Sequence, residues 1–141
     1  MMYPAPFCIY KKSAAAQFNL IPPKRNDKGR VEREGAVMLE VANAKGDKVY
    51  DWSNKLNFAI QINDIIMLFN NLENPDRLFH NNEGTTKTLE FKQGEGKFAG
   101  TYMMTLKVND VKITVPLSGG EYTVLTLLLK GSIEKVLGWS E

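Results

Sequence analysis

Aromatic and basic side chains recur side by side in this sequence. Tyr10 precedes Lys11 and Lys12. Lys48, Tyr50, Trp52 and Lys55 fall within one short stretch, Phe91 abuts Lys92, and Lys97 abuts Phe98. Flat rings stack on nucleobases of any kind, each stack contributing about 1–3 kcal/mol, while lysines neutralise the phosphates between them. The combination points to a single-stranded nucleic acid as ligand, and to binding instead of bond-making as the chemistry. On a strand, Lys48, Tyr50 and Trp52 would share one face, because side chains alternate with period two. The rings have a competing use. Phe91 alternates with Leu89 against Thr88 and Glu90, so it fits a core as well as a surface, and Trp52 fits packing against a helix. Lys11, Lys12 and Lys48 are the side chains expected to meet solvent.

Catalytic chemistry has few candidates. His80 is the only histidine and sits at a strand end, where a structural role is expected. Cys8, the single cysteine, lies in an apolar segment and leaves no internal disulfide or cysteine-rich metal site open. The glycines at 94–96 and 119–120 belong to a turn and a helix start, not to a phosphate-cradling loop, and neither a nucleophile elbow nor HExxH is present. Asp47 and Asp51 read as surface charge in a turn and strand. No enzyme, cofactor or metal is expected.

The 141 residues carry a net charge of only +2, but the charge is skewed. Lys11, Lys12, Lys24, Arg25, Lys28, Arg30 and Arg33 face only Asp27, Glu32 and Glu34 within residues 1–35, while the remainder is net acidic. That basic third fits a phosphate path or a solvated loop. No apolar run approaches the ~20 residues that span a bilayer, so no membrane partner is expected. The start, MMYPAPFCIYKK, has neither signal-peptide nor transit-peptide character. An intracellular chain follows, of bacterial or phage origin or a processed organellar form.

The elements that must position these residues follow from periodicity and punctuation. After a tail of residues 1–6, one domain is expected over 7–141. A long strand spans 7–21 and ends at Pro22–Pro23, since proline cannot donate to a ladder. A polar loop runs to Arg33, and a strand over 36–42 places Val37, Leu39 and Val41 on one face. NAKGD turns the chain into strands at 48–53 and 56–62. Asn63 is the expected N-cap of a helix over 64–72, with Asp64 in its first turn. Strands follow at 77–80, 86–92, 98–108 and 111–117, with QGEG and Asn109–Asp110 as turns. Ser118 and Glu121 form a capping box for a helix to Leu137, with Gly138 past its end. Four strands, a helix, four strands and a helix make an α+β domain with antiparallel sheets.

Both helices are apolar on more than one face. Ile65, Ile66, Met67, Leu68 and Phe69 crowd the first, and Val124, Leu125, Leu127, Leu128 and Leu129 the second. A helix lying on a sheet needs only one stripe, so helix-mediated homo-oligomerisation is expected. Gly131, costing about 1 kcal/mol in a helix interior, fits close approach of a neighbouring helix.

The segment EGAVMLEVANAKGDKVYDWSNKLNFAIQI resembles the central block of plant Whirly proteins, whose hallmark is a QYDWSRKQ-like strand pair; Tyr50, Asp51, Trp52, Ser53 and Lys55 carry the match. IYKKSAAAQF is similar to the family's first strand, IYKGKAAL. Leu78–Phe79–His80 resembles its FFH segment, and the end resembles its closing helix, finishing on Leu137, Gly138 and Trp139. The resemblance covers residues 7–139. It implies two four-stranded sheets packed with helices, four subunits arranged like a whirligig, and single-stranded DNA bound across sheet edges between subunits. Fold relatives include transcription coactivators and guide-RNA-binding proteins, so RNA binding or annealing on the same fold is the alternative, and a structural oligomer the third. Lys11, Tyr50, Trp52 and Lys55 fall on family motif positions, and Arg30 and Arg33 where the family is also basic. Lys12 stands at the family's glycine and Ser13 at its second lysine, which the family ties to assembly beyond the tetramer; no such assembly is expected here.

Overall fold

A computed structural model of the chain describes residues 4–70 and 77–140; the last two positions expected in the first helix, 71 and 72, lie outside them. The first correction falls on the long opening strand. It is a hairpin of β1 (Phe7–Tyr10) and β2 (Ala14–Ile21), closed where the Lys11 N–H donates to the Ala14 carbonyl at 2.9 Å. The polar Lys11–Lys12–Ser13 break inside an apolar run is what turns the chain. The polar loop that follows contains a small hairpin, β3 (Lys24–Arg25) with β4 (Val31–Arg33), whose turn is held by Asn26 Oδ1 accepting from the Lys28 and Arg30 N–H groups.

β5 (Ala36–Gly46) runs four residues further than its alternation suggested, so the turn shrinks to Asp47 and Lys48, and Lys48 takes φ +58°. Only β6 (Val49–Tyr50) of the expected 48–53 strand forms. Residues Trp52–Asn54 make a 3-10 turn instead, because the Asp51 carboxylate accepts from Ser53 Oγ and Asn54 Nδ2 at 2.8 and 2.9 Å. β7 (Leu56–Ile60) is followed at once by α1 (Ile62–Asn70). Asn63 is therefore inside the helix and not its cap. Asp64 supplies the capping contact, accepting from the Gln61 N–H at 2.8 Å.

The second half is β8 (Leu78–Asn82), β9 (Thr85–Gln93), β10 (Tyr102–Val108) and β11 (Val111–Leu117). Asn109, at φ +53°, makes the expected two-residue turn between the last two. The long closing helix divides at buried Ser132 into α2 (Gly119–Gly131) and α3 (Ile133–Leu137). Both bonds of the Ser118/Glu121 capping box are present, and Gly138 ends α3 in the left-handed region at φ +78°.

The expected α+β class with two antiparallel sheets four strands wide holds. The first is ordered β1-β2-β5, with β7 and β6 sharing the fourth lane end to end along β5; the second is β11-β10-β9-β8. Their inner faces meet, β11 against β2 and β5, β10 against β7. One register row places Leu78, Leu89, Leu106 and Ile113 in line; another aligns Phe91, Met104 and Val115. All seven are buried beside Ile9, Phe18, Leu39, Val41 and Phe58 of the first sheet, with Leu125 and Leu129 of α2 in the same core. His80 is structural, as expected. Its ring stacks on Phe58 with centroids 4.1 Å apart, and Nε2 lies 2.8 Å from the Asp64 carboxylate, tying β7, β8 and α1 together.

Candidate nucleic-acid interface

An open groove of about 1170 Å³ lies at the β1–β2 turn end of the first sheet, on its outer face. Tyr10, Lys11 and Lys12 line one side, and residues 46–50 with Trp52 line the other. Three rings run across it in sequence: Tyr10 to Tyr50 at 5.7 Å between centroids, Tyr50 to Trp52 at 6.5 Å. Register explains the fit. Tyr10 pairs with Ala15, and Ala15 with Ala42; both alanines point away from the core yet are fully buried. Small residues there give the rings a close floor. The Tyr50 hydroxyl reaches across the sheet to donate to the Lys11 carbonyl at 2.6 Å, which fixes that ring, while Tyr10 stays 61% exposed and free to stack. Lys48, Tyr50 and Trp52 thus converge as expected, but through a turn, a two-residue strand and a 3-10 turn, not through one strand face.

Of the four lysines expected beside these rings, Lys11, Lys12 and Lys48 line the groove and Lys55 does not. Lys12 and Lys48 are exposed and without an ion pair among the described residues. Lys11, expected to meet solvent, is instead paired through Nζ with Glu121 Oε1 at 2.7 Å. Burial alone would raise the Glu121 carboxyl, but Lys11 and the Ser118 N–H hold it below its usual value of 4.5, so it is anionic at neutral pH. Lys55 is paired with Glu40, whose carboxyl Lys55 lowers and which also accepts from Gln17 Nε2 at 2.8 Å. A phosphate reaching Lys11 must compete with a carboxylate. Glutamine at position 121 would keep the capping box, which accepts Gln as well as Glu, yet remove the competing charge. The Glu121→Gln variant is therefore expected to bind single strands with a salt slope steeper by up to about 0.7, one phosphate contact; anisotropy at several salt concentrations reads it.

The other expected positions are dispersed. Arg30 and Arg33 belong to the β3–β4 hairpin at the far end of β2, about 23 Å from the groove by strand rise. The expectation that they share one path with Lys11 and Lys12 fails within a protomer, because the sheet runs between them. Arg25, counted from the sequence only as one charge of the basic third, docks that hairpin by donating to the Gly29 and Gly138 carbonyls at 2.7 and 2.8 Å. Lys92 lies on the outer face of the second sheet. Lys97 and Phe98 form a 3-10 turn ahead of β10, not part of a strand, with Nζ 5.2 Å from the ring centre. That loop meets the start of α2, where the Gly100 carbonyl abuts Gly119, so it flanks the helix turn that holds Lys11.

Phe91 resolves to the core, 2% exposed and edge-on to Tyr122. Tyr122 also stacks on Tyr102 at 3.7 Å, and burial pushes its hydroxyl up to about 12. No cluster of three or more metal-ligating side chains occurs among the described residues, and none of their helices is long and apolar enough to cross a membrane.

A family model described as Whirly transcription factor matches residues 9–128. The chloroplastic single-stranded DNA-binding protein WHY1 of Zea mays is 29% identical, the match covering 95% of this chain and 56% of that protein. The mitochondrial single-stranded DNA-binding protein WHY2 of Arabidopsis thaliana is 28% identical, over 96% and 64%. The chain thus spans somewhat more than half the length of these relatives. The crystal structure of Arabidopsis thaliana WHY1 superposes with TM-score 0.85 at 22% identity, covering 99% of this chain and 88% of that one. The structure of the plant transcriptional regulator PBF-2 gives 0.80 at 24%, covering 99% and 85%. These likenesses show the fold.

Proposed function

The chain belongs to the Whirly family, and from that premise we propose that it binds single-stranded DNA with little base preference, without catalysing a reaction on it, as a homo-oligomer serving DNA protection, repair, recombination or transcription. The observation that carries the reading is the groove itself: three rings in line, one of them largely exposed, beside the unpaired Lys12 and Lys48. Stacking tolerates any base because every base has a π face. Lys12 and Lys48, without an ion pair among the described residues, supply the salt-sensitive part, and Glu121 and Glu40 moderate Lys11 and Lys55.

A tetramer fits the helices. Val124, Leu127 and Leu128 of α2 are 42%, 62% and 48% exposed, on the side away from buried Leu125 and Leu129, and α1 exposes Ile66 and Met67. Between α2 and the first sheet lies an apolar cleft of about 310 Å³, lined by Phe7, Phe18, Leu20 and Val37 on one side and Leu125, Leu128 and Gly131 on the other. A Cβ at Gly131 would meet nothing within 4 Å, so the helix leaves room where the sequence anticipated close approach. Helices from further copies of this chain are the proposed cover.

Fluorescence anisotropy with a labelled oligothymidine tests the reading. Binding tighter than about 100 μM at physiological salt, weakening as salt rises, is expected; an affinity no better than that non-specific level removes it. A matched RNA strand that displaced the DNA at equal concentration would assign RNA to the groove instead.

A further inference from the structure

The outer face of the second sheet carries side chains that neither the core nor the groove uses. One register row across all four strands reads Lys112, Lys107, Thr88 and Phe79. Two rows along, Pro116, Met103 and Lys92 are aligned. Lys92, Lys107 and Lys112 are exposed, Phe79 is 57% exposed and Met103 41%. Among the described residues none of these lysines has an ion pair, and the one acid on the face, Glu90, is held by Arg77 at 3.5 Å. Lys107 and Lys112 stand directly opposite each other on neighbouring strands. Like charges in that position are destabilising, and no carboxylate of the face relieves them. An anion bridging the pair would.

Resting on the single-strand reading above, we propose that this face is a second track for the same strand, separate from the aromatic groove. The charge pattern asks for a polyanion. The exposed Phe79, level with the lysine pair, asks for one whose bases are open to stacking, which a duplex does not offer. The two tracks connect in space: the loop with the Lys97–Phe98 turn joins β9 to β10 at the Lys92 end of this face, and its Gly100 carbonyl abuts Gly119 in the first turn of α2, where Glu121 holds Lys11. A strand long enough to leave the groove passes that turn and continues over Lys92, Met103 and the lysine pair.

The Lys107→Glu variant separates this proposal from a folding artefact, because its two effects have opposite signs. It replaces a repulsive cross-strand pair by an attractive one, so the melting temperature stays level or rises. It also removes one phosphate contact and ties up Lys112. Oligothymidines of roughly 10 nucleotides, within the range of one binding surface, are expected to bind variant and native protein alike. For strands of roughly 40 nucleotides the variant is expected to lose about tenfold in affinity and up to about 1.4 in salt slope, two phosphate contacts. Phe79→Ala is expected to weaken only the long strand, by about tenfold. Unchanged affinity and slope for the long strand in Lys107→Glu overturn the second track while leaving the groove intact, as does native protein that binds long strands no better than short ones. Native protein that binds neither length ends both readings.

Discussion

Tyr10→Ala combined with Trp52→Ala is expected to weaken oligothymidine binding by about 100-fold, the largest loss available from two side chains outside the core. Each base stacked on an aromatic ring contributes about 1–3 kcal/mol, and every 1.4 kcal/mol is tenfold in affinity, so even the lower half of that range for two rings gives this factor. The fold has little stake in either ring. Tyr10 is largely exposed, Trp52 half-buried, and neither belongs to the core where the two sheets meet. Tyr50 is the wrong residue to remove, because its hydroxyl holds the Lys11 carbonyl and so the turn that presents Lys11 and Lys12. The loss should fall on affinity with the salt slope almost unchanged, since no phosphate contact goes. A variant that melts like the native protein and binds within threefold of it would remove the rings from the account.

The second large effect is on assembly. Leu127→Glu together with Leu128→Glu is expected to reduce the protein to its single-chain mass in light scattering. Within one protomer these leucines are 62% and 48% exposed and stand outside the buried core, only edging the open cleft, so the charged replacements leave the packing between the sheets intact. At a helix-to-helix contact each would forfeit about 1.5–3 kcal/mol of burial, repeated in every copy, and add carboxylates that a dry interface cannot solvate. Because the groove belongs to one protomer, the dissociated variant should still bind a short strand, but less tightly than the assembly, in which neighbouring grooves raise the effective concentration. An unchanged mass would place the contact elsewhere.

What the sequence disclosed was local chemistry. The capping box at Ser118 and Glu121, the Asn109–Asp110 turn and the Gly138 helix end all form, because each depends on residues a few positions apart. The alternation of Val37, Leu39 and Val41 identified their buried face for the same reason. The errors share a cause as well. The first strand folded back at a polar break of only three residues, Lys11 to Ser13, and α2 broke at the single Ser132, each too short an interruption between apolar stretches to read as a boundary. Trp52 left its strand because Asp51 finds closer partners in Ser53 and Asn54 than a ladder would supply.

The groove itself was half legible. Its rings and lysines were recognisable by type, but their electrostatic state was not, since the carboxylates that occupy Lys11 and Lys55 arrive from α2 and β5. Charge counting likewise grouped Arg30 and Arg33 with Lys11 and Lys12, which the length of β2 sets apart. The facing of Lys107 and Lys112 follows from the Asn109–Asp110 turn, which pairs Val108 with Val111; that no carboxylate stands beside them needed the neighbouring strands.

The central claim is that bases and phosphates lie on an aromatic, partly unpaired basic surface of an assembly held by its helices. Its most direct test is the mass in solution of the unmodified protein, alone and with a single strand of about 30 nucleotides, a length exceeding one binding surface. The account predicts a multiple of the single-chain mass that grows by that of the bound strand at physiological salt and loses it at high salt. A lone chain whose mass the strand does not change would contradict it.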